Sequence, residues 1–274
     1  MRKTFAQVLK EGKVDIKKEY QRLYELFYNS KINCGEESYT AYELANTHFK
    51  ELPFCGTCLS LDDFDRTYGF NFIMSPNNFD LNNLVSFCEY CRNIVPVVLS
   101  SIIIYNPSIY DIFLKHIADV IDKIGYMEIK DDQGLISYVV KSQETISVAE
   151  VLPNPISYKV IFYNHHSMKG NITEKKNIIL QLASLLEPKR NQLKEINHNL
   201  EDILFYCFNN LNIRHENITP GTTNFKARIK SMGKNELEKW YDEVYQLCLL
   251  AFLEIDNKER IIKVKQLKDE IEKC

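Results

Sequence analysis

Apolar residues recur at spacings of three and four along most of this chain. Ile16, Tyr20, Leu23, Tyr24 and Phe27 mark one face of a helix over residues 15–29, with Asp15 placed to cap it. The same spacing predicts helices at 38–51, ended by Pro53, and at 60–68 behind Ser60. Two more fall at 80–95 behind Asp80 and at 108–124 between Ser108 and Gly125. At residue 126 the pattern changes to short β-type runs. Tyr126 to Lys130, the turn residues Asp131-Asp132-Gln133-Gly134, and Leu135 to Lys141 predict a β-hairpin over 126–141, with a third strand near Ile146–Val151. Pro153 and Pro155 then interrupt the chain and set the expected domain boundary.

Beyond that boundary only helical spacing appears. Helices are expected at 156–167, closing near Gly170, and at 173–187 behind Thr173. Pro188 opens a further helix to Leu211, which would bury Leu193, Ile196, Leu200, Ile203, Cys207 and Leu211. A polar loop, 212–233, precedes a helix at 235–254 with Leu237, Tyr241, Val244, Leu247, Cys248 and Ala251 on one side. In the tail, 258–273, Ile261, Val264, Leu267 and Ile271 stand among charged residues, as in an exposed helix or one packed on a protein partner. The expected fold is mainly α, a helical bundle with a small central β-hairpin. An α-rich region, 1–152, leads into a helical bundle, 153–274.

Composition narrows the function classes. The chain has 274 residues, only 9 of them glycine and 8 proline, which disfavours turn-rich barrels and sandwiches. A net charge of −3 supplies no global field for nucleic acid, so any RNA contact must rest on a local site. The N-terminal residues lack the apolar core and cleavage site of a signal peptide, and the apolar-rich run from Val95 to Tyr105 is too short to span a bilayer. A cytoplasmic protein without membrane association is expected, with its cysteines reduced or bound to metal.

The chemistry concentrates in Asn212-Ile213-Arg214-His215-Glu216-Asn217. Arg214 offers a fixed fork of donors to a phosphate, and His215 exchanges a proton near neutral pH. Asn212 and Asn217 add amide groups that tolerate tight loops. The alternative is structural, with Arg214 and His215 tied to Glu216, Glu201 or Asp202. A long helix, an Arg/His/Asn loop and a long final helix resemble, over residues 173–254, the HEPN superfamily of helical domains. Leu211 to Asn217 and Leu237-Glu238-Lys239-Trp240-Tyr241-Asp242-Glu243-Val244-Tyr245-Gln246 are also similar to bacterial proteins associated with phage abortive infection. The resemblance implies an RNA-directed defence or toxin-type protein, a homodimer, cutting RNA without metal. His215 would be the general base and Arg214 would stabilise the phosphate. The family spaces its arginine and histidine apart, whereas Arg214 and His215 are adjacent, and seven residues separate Arg190 from His198. The competing expectation is a non-catalytic interaction or sensor module, possessing at most a structural zinc. Its ligands would be Cys55, Cys58, Cys88 and Cys91, two Cys-x-x-Cys pairs separated by residues 59–87. Cys88 and Cys91 equally continue the helical apolar face of Leu81, Leu84 and Val85, and on that alternative they would be core residues.

Overall fold

Side-chain caps decide where most helices of this chain begin. The computed structural model describes residues 14–34, 36–52, 54–70, 72, 73, 77, 79–100 and 108–273. The chain forms two units, Met1–Val140 and Lys141–Cys274. Both are mainly helical, and the first carries the small β-hairpin expected from the sequence. Among the described residues, no helix is long and apolar enough to cross a membrane.

In the first unit, α1 (Ile16–Tyr24) starts at Asp15, whose carboxylate accepts from the Lys18 amide at 3.1 Å, and runs on into a π-helical turn, Glu25–Asn29. A short antiparallel pair follows, β1 (Ile32–Cys34) with β2 (Glu37–Tyr39). The helix expected over 38–51 is therefore shorter. Thr40 and Glu43 form a reciprocal capping box that starts α2 (Ala41–Thr47) at residue 41. The stop expected at Pro53 lies outside the described residues. Helix α3 (Leu61–Tyr68) is capped by Ser60 and ends at Gly69, whose φ of +78° suits glycine. Helices α4 (Leu81–Ser100) and α5 (Ser108–Lys123) lead to β3 (Tyr126–Lys130) and β4 (Ile136–Val140), paired antiparallel with Tyr126 opposite Val140.

Among the described residues, no third strand joins this hairpin. Two side chains of α4 bond the backbone of β4 instead. The Asn93 amide both accepts from the Ile136 N–H and donates to its carbonyl, each at 2.8 Å, and Glu89 accepts from the Tyr138 N–H at 2.6 Å. Residues 143–151, expected as a strand from Ile146, form α6 (Gln143–Val151) because the Ser142 hydroxyl caps the Thr145 amide.

The first unit's core is aromatic. Phe87 lies 4.8 Å from Phe72 and 6.0 Å from both Phe27 and Tyr28, ring centre to ring centre. Within it is a buried carboxyl, Asp65, whose two oxygens each accept from the Tyr90 hydroxyl at 3.0 Å.

In the second unit, α6 is followed by α7 (Ile156–Phe162) and α8 (Ile172–Leu186). Asn171, not Thr173, caps α8 through the Glu174 amide. The single helix expected from Pro188 to Leu211 is two, α9 (Arg190–Ile196) and α10 (His198–Asn210). Asn197 breaks them apart with φ −149° and ψ 88°. Its side chain caps the Leu200 amide and donates to Glu254 at 3.0 Å. Past the break the buried positions of α10 are Leu200, Glu201, Leu204, Phe205 and Phe208, while Ile203, expected inside, is exposed. After α11 (Ala227–Ser231), one helix of 39 residues, α12 (Lys234–Glu272), replaces the two shorter segments expected.

A buried lysine fastens α8 to α12. Lys175, its side chain 7% exposed, reaches Glu238 at 2.8 Å and Asp242 at 2.7 Å. Glu238 also accepts from the Gly170 amide, Asp242 accepts from the Tyr163 hydroxyl, and Tyr163 stacks on Tyr245 at 3.8 Å.

Asp65 generates a prediction about pH. Burial pushes its carboxyl up to about 7 from an ordinary 3.8. Between those values the folded chain holds a proton that the unfolded chain releases. Asp65 therefore lowers stability progressively as pH rises from about 4 to about 7, by at most about 4 kcal/mol, and the loss is level above that. Asp65→Asn should match the wild type in urea denaturation near pH 4 and exceed it near pH 8.

Candidate functional site

The loop after α10 is built by its two asparagines. Asn212 takes φ +57°, a left-handed conformation that asparagine adopts more readily than most side chains. That turn lets the pair close reciprocally. The Asn212 N–H donates to Oδ1 of Asn217 at 2.6 Å, and the Asn217 N–H donates to Oδ1 of Asn212 at 3.1 Å. Asn217 also donates from Nδ2 to the Asn224 carbonyl at 2.7 Å, and its own carbonyl accepts from the Lys226 N–H at 2.8 Å. Both asparagines are buried, as is Ile213 between them. Both side-chain oxygens, and Nδ2 of Asn217, are consumed in shaping the loop.

Arg214 points inward. Its backbone N–H closes the end of α10 on the Phe208 carbonyl at 2.9 Å. The guanidinium donates through Nη2 to the Ala183 carbonyl at 2.8 Å and pairs through Nη1 with Glu187. Its carbon lies 5.3 Å from the ring centre of Phe205 and 5.0 Å from that of Phe208. The ion-pair partner is thus Glu187, none of the three acids expected from the sequence. Glu201 is taken by Arg190 at 2.6 Å, and Arg190 lies 4.4 Å from the ring centre of Phe205. Two guanidinium groups therefore pack on one aromatic ring, each held by its own carboxylate. His215 is exposed at the loop surface, beside Glu216, which accepts from the Thr219 hydroxyl at 3.2 Å. His198, at the first position of α10, is also exposed.

The four cysteines offered for zinc do not assemble. No three of their sulfurs lie within 4.8 Å of one another, whereas a tetrahedral thiolate site needs all four about 2.3 Å from one centre. Cys88 and Cys91 are completely buried in the first unit's core, and burial pushes both thiols well above their ordinary range. Cys55 and Cys58 flank a tight turn at Gly56, with φ +54° and the Cys58 N–H bonded to the Cys55 carbonyl at 3.1 Å. The helical face, not the paired Cys-x-x-Cys spacing, accounts for the second pair.

One polar cluster escaped the sequence reading. Glu19 on α1 accepts from Arg22 at 2.9 Å and lies 2.7 Å from Nε2 of His116 on α5. With Asp119 and Lys123 they line an open cavity of about 220 Å³. His116, Asp119 and Lys123 recur at helical spacing, which was the available signal. Their partner Glu19 is remote in sequence, and no local motif announces it.

The loop's energetics are testable. Asn217→Ala leaves the buried Asn212 N–H without its acceptor and should cost about 2 kcal/mol. His215→Ala, at an exposed position, should stay within about 0.5 kcal/mol of wild type. Thermal unfolding followed by circular dichroism separates the two. Comparison with known proteins adds no further constraint: no family model, no curated protein and no solved structure matches the chain.

Proposed function

We propose that this chain is a non-catalytic helical interaction module, in which the Asn212–Asn217 loop is a clasp and the outer face of α12 meets a protein partner. The observation that carries this reading is the placement of Arg214. Its side chain is only 19% exposed, paired with Glu187, bonded to the Ala183 carbonyl and laid on two phenylalanine rings. To clamp a phosphate it would have to leave Glu187 and uncover those rings. Asn212 and Asn217 are likewise committed to each other.

A second reading keeps the expected chemistry, a metal-independent endoribonuclease of a phage-defence or toxin type. Its support is the exposed imidazole of His215 on the loop between α10 and the short α11. In that reading His215 takes the proton of a ribose 2′-hydroxyl, and a rearranged Arg214 stabilises the phosphate.

Purified protein incubated with total cellular RNA in the presence of a chelator distinguishes them. The interaction module leaves the RNA intact, and Arg214→Ala lowers the melting temperature by several degrees. Cleavage by the wild type, lost in a His215→Ala protein of unchanged melting temperature, would sink the module reading in favour of the nuclease.

A further inference from the structure

Helix α12 has two faces of different character. Tyr241, Val244, Cys248 and Ile255 are buried and mark the face packed in the second unit. Roughly 150° around the helix, Leu250, Leu253, Val264, Leu267 and Ile271 follow the alternating three-and-four spacing of a heptad seam, with Asn257 and Arg260 occupying its middle positions. Leu250 is 43% exposed, Val264 65%, Leu267 55% and Ile271 66%, whereas Leu253 is partly buried. Ile261 and Ile262, off the seam, are exposed as well, so it is the three-and-four spacing and not exposure that singles out this stripe.

We propose that a second copy of this chain packs antiparallel along this seam, with the two-fold axis crossing α12 between residues 258 and 259. The inference rests on the interaction-module reading and names its partner. Charge and size complementarity select the arrangement. In this register Leu250 meets the partner's Leu267, Leu253 meets the partner's Val264, and Asn257 meets the partner's Arg260. Beside the seam, Asp256, which already pairs with Arg260 one turn along its own helix, faces the partner's Lys263. Each pairing occurs twice by symmetry, as an isologous contact requires. A parallel pair in register would instead set Arg260 against its own copy in the seam and Lys263 against the partner's Lys268, both repulsive. A polar Asn257 inside the seam costs stability but fixes register, a known use of asparagine at such a position.

Light scattering on the full chain across micromolar concentrations tests the assignment. The wild type should be a dimer, and Leu267→Glu a monomer with an unchanged circular dichroism spectrum. Asp256→Lys and Lys263→Glu should each weaken association by about tenfold or more, and the double variant should recover most of it. A wild-type monomer at all concentrations overturns the proposal. So does a dimer indifferent to Leu267→Glu, or a double variant no better than the singles. A monomer that binds anionic phospholipid vesicles through Leu267 assigns the seam to a lipid surface and overturns it too. A monomer inert toward RNA would remove this inference alone, whereas metal-free RNA cleavage dependent on His215 would remove the reading beneath it.

Discussion

The buried ammonium of Lys175 sets the register of the second unit. A charge removed from water has to be paired and hydrogen-bonded, so α8 and α12 meet productively only where Lys175 reaches both Glu238 and Asp242. The same carboxylates tie in two neighbouring segments, Glu238 through the Gly170 amide and Asp242 through the Tyr163 hydroxyl. Tyr163 then stacks on Tyr245, whose hydroxyl donates to the Val160 carbonyl at 2.8 Å. One lysine thereby fixes the positions of three helices. Apolar packing alone would tolerate a slip along α12, because its buried face repeats every three or four residues.

What the sequence made legible was local. Asp15, Ser60 and Asp80 cap the helices they were expected to cap, and Gly69 and Gly125 adopt the positive φ that ends a helix. What it concealed was decided by distant partners. The break at Asn197 looks like ordinary helix in an apolar pattern. It is a stable break because Asn197 bonds both the Leu200 amide and Glu254 on another helix. Residues 146–151 have strand-like composition, yet the backbone of β4 is already occupied by Asn93 and Glu89. The candidate loop divides in the same way. That Asn212 and Asn217 suit a tight loop was readable, but that they bond each other was not. The Glu187 partner of Arg214 lies on a 3₁₀ turn, Glu187–Lys189, between α8 and α9 and far along the chain from residues 212–217.

The arginines around Phe205 carry a more general lesson about function read from residue type. Arg190 and Arg214 are the residues a phosphate-binding reading would select, and each is stacked on the same ring with a carboxylate attached. Guanidinium groups are suited to this task as well as to recognition, since they are planar and only weakly hydrated. Identity alone does not separate a binding arginine from a packing one; the partner does.

The burial of Cys88 and Cys91 in one unit and Cys248 in the other has a practical reach. Burial raises all three thiols above their ordinary range, so in the folded chain they present little thiolate and no path to an alkylating reagent. Modification then requires that the surrounding core open. Each unit thus contains its own chemical clock: the rate at which these cysteines react reports how often that unit breathes, without a label being added anywhere in the molecule.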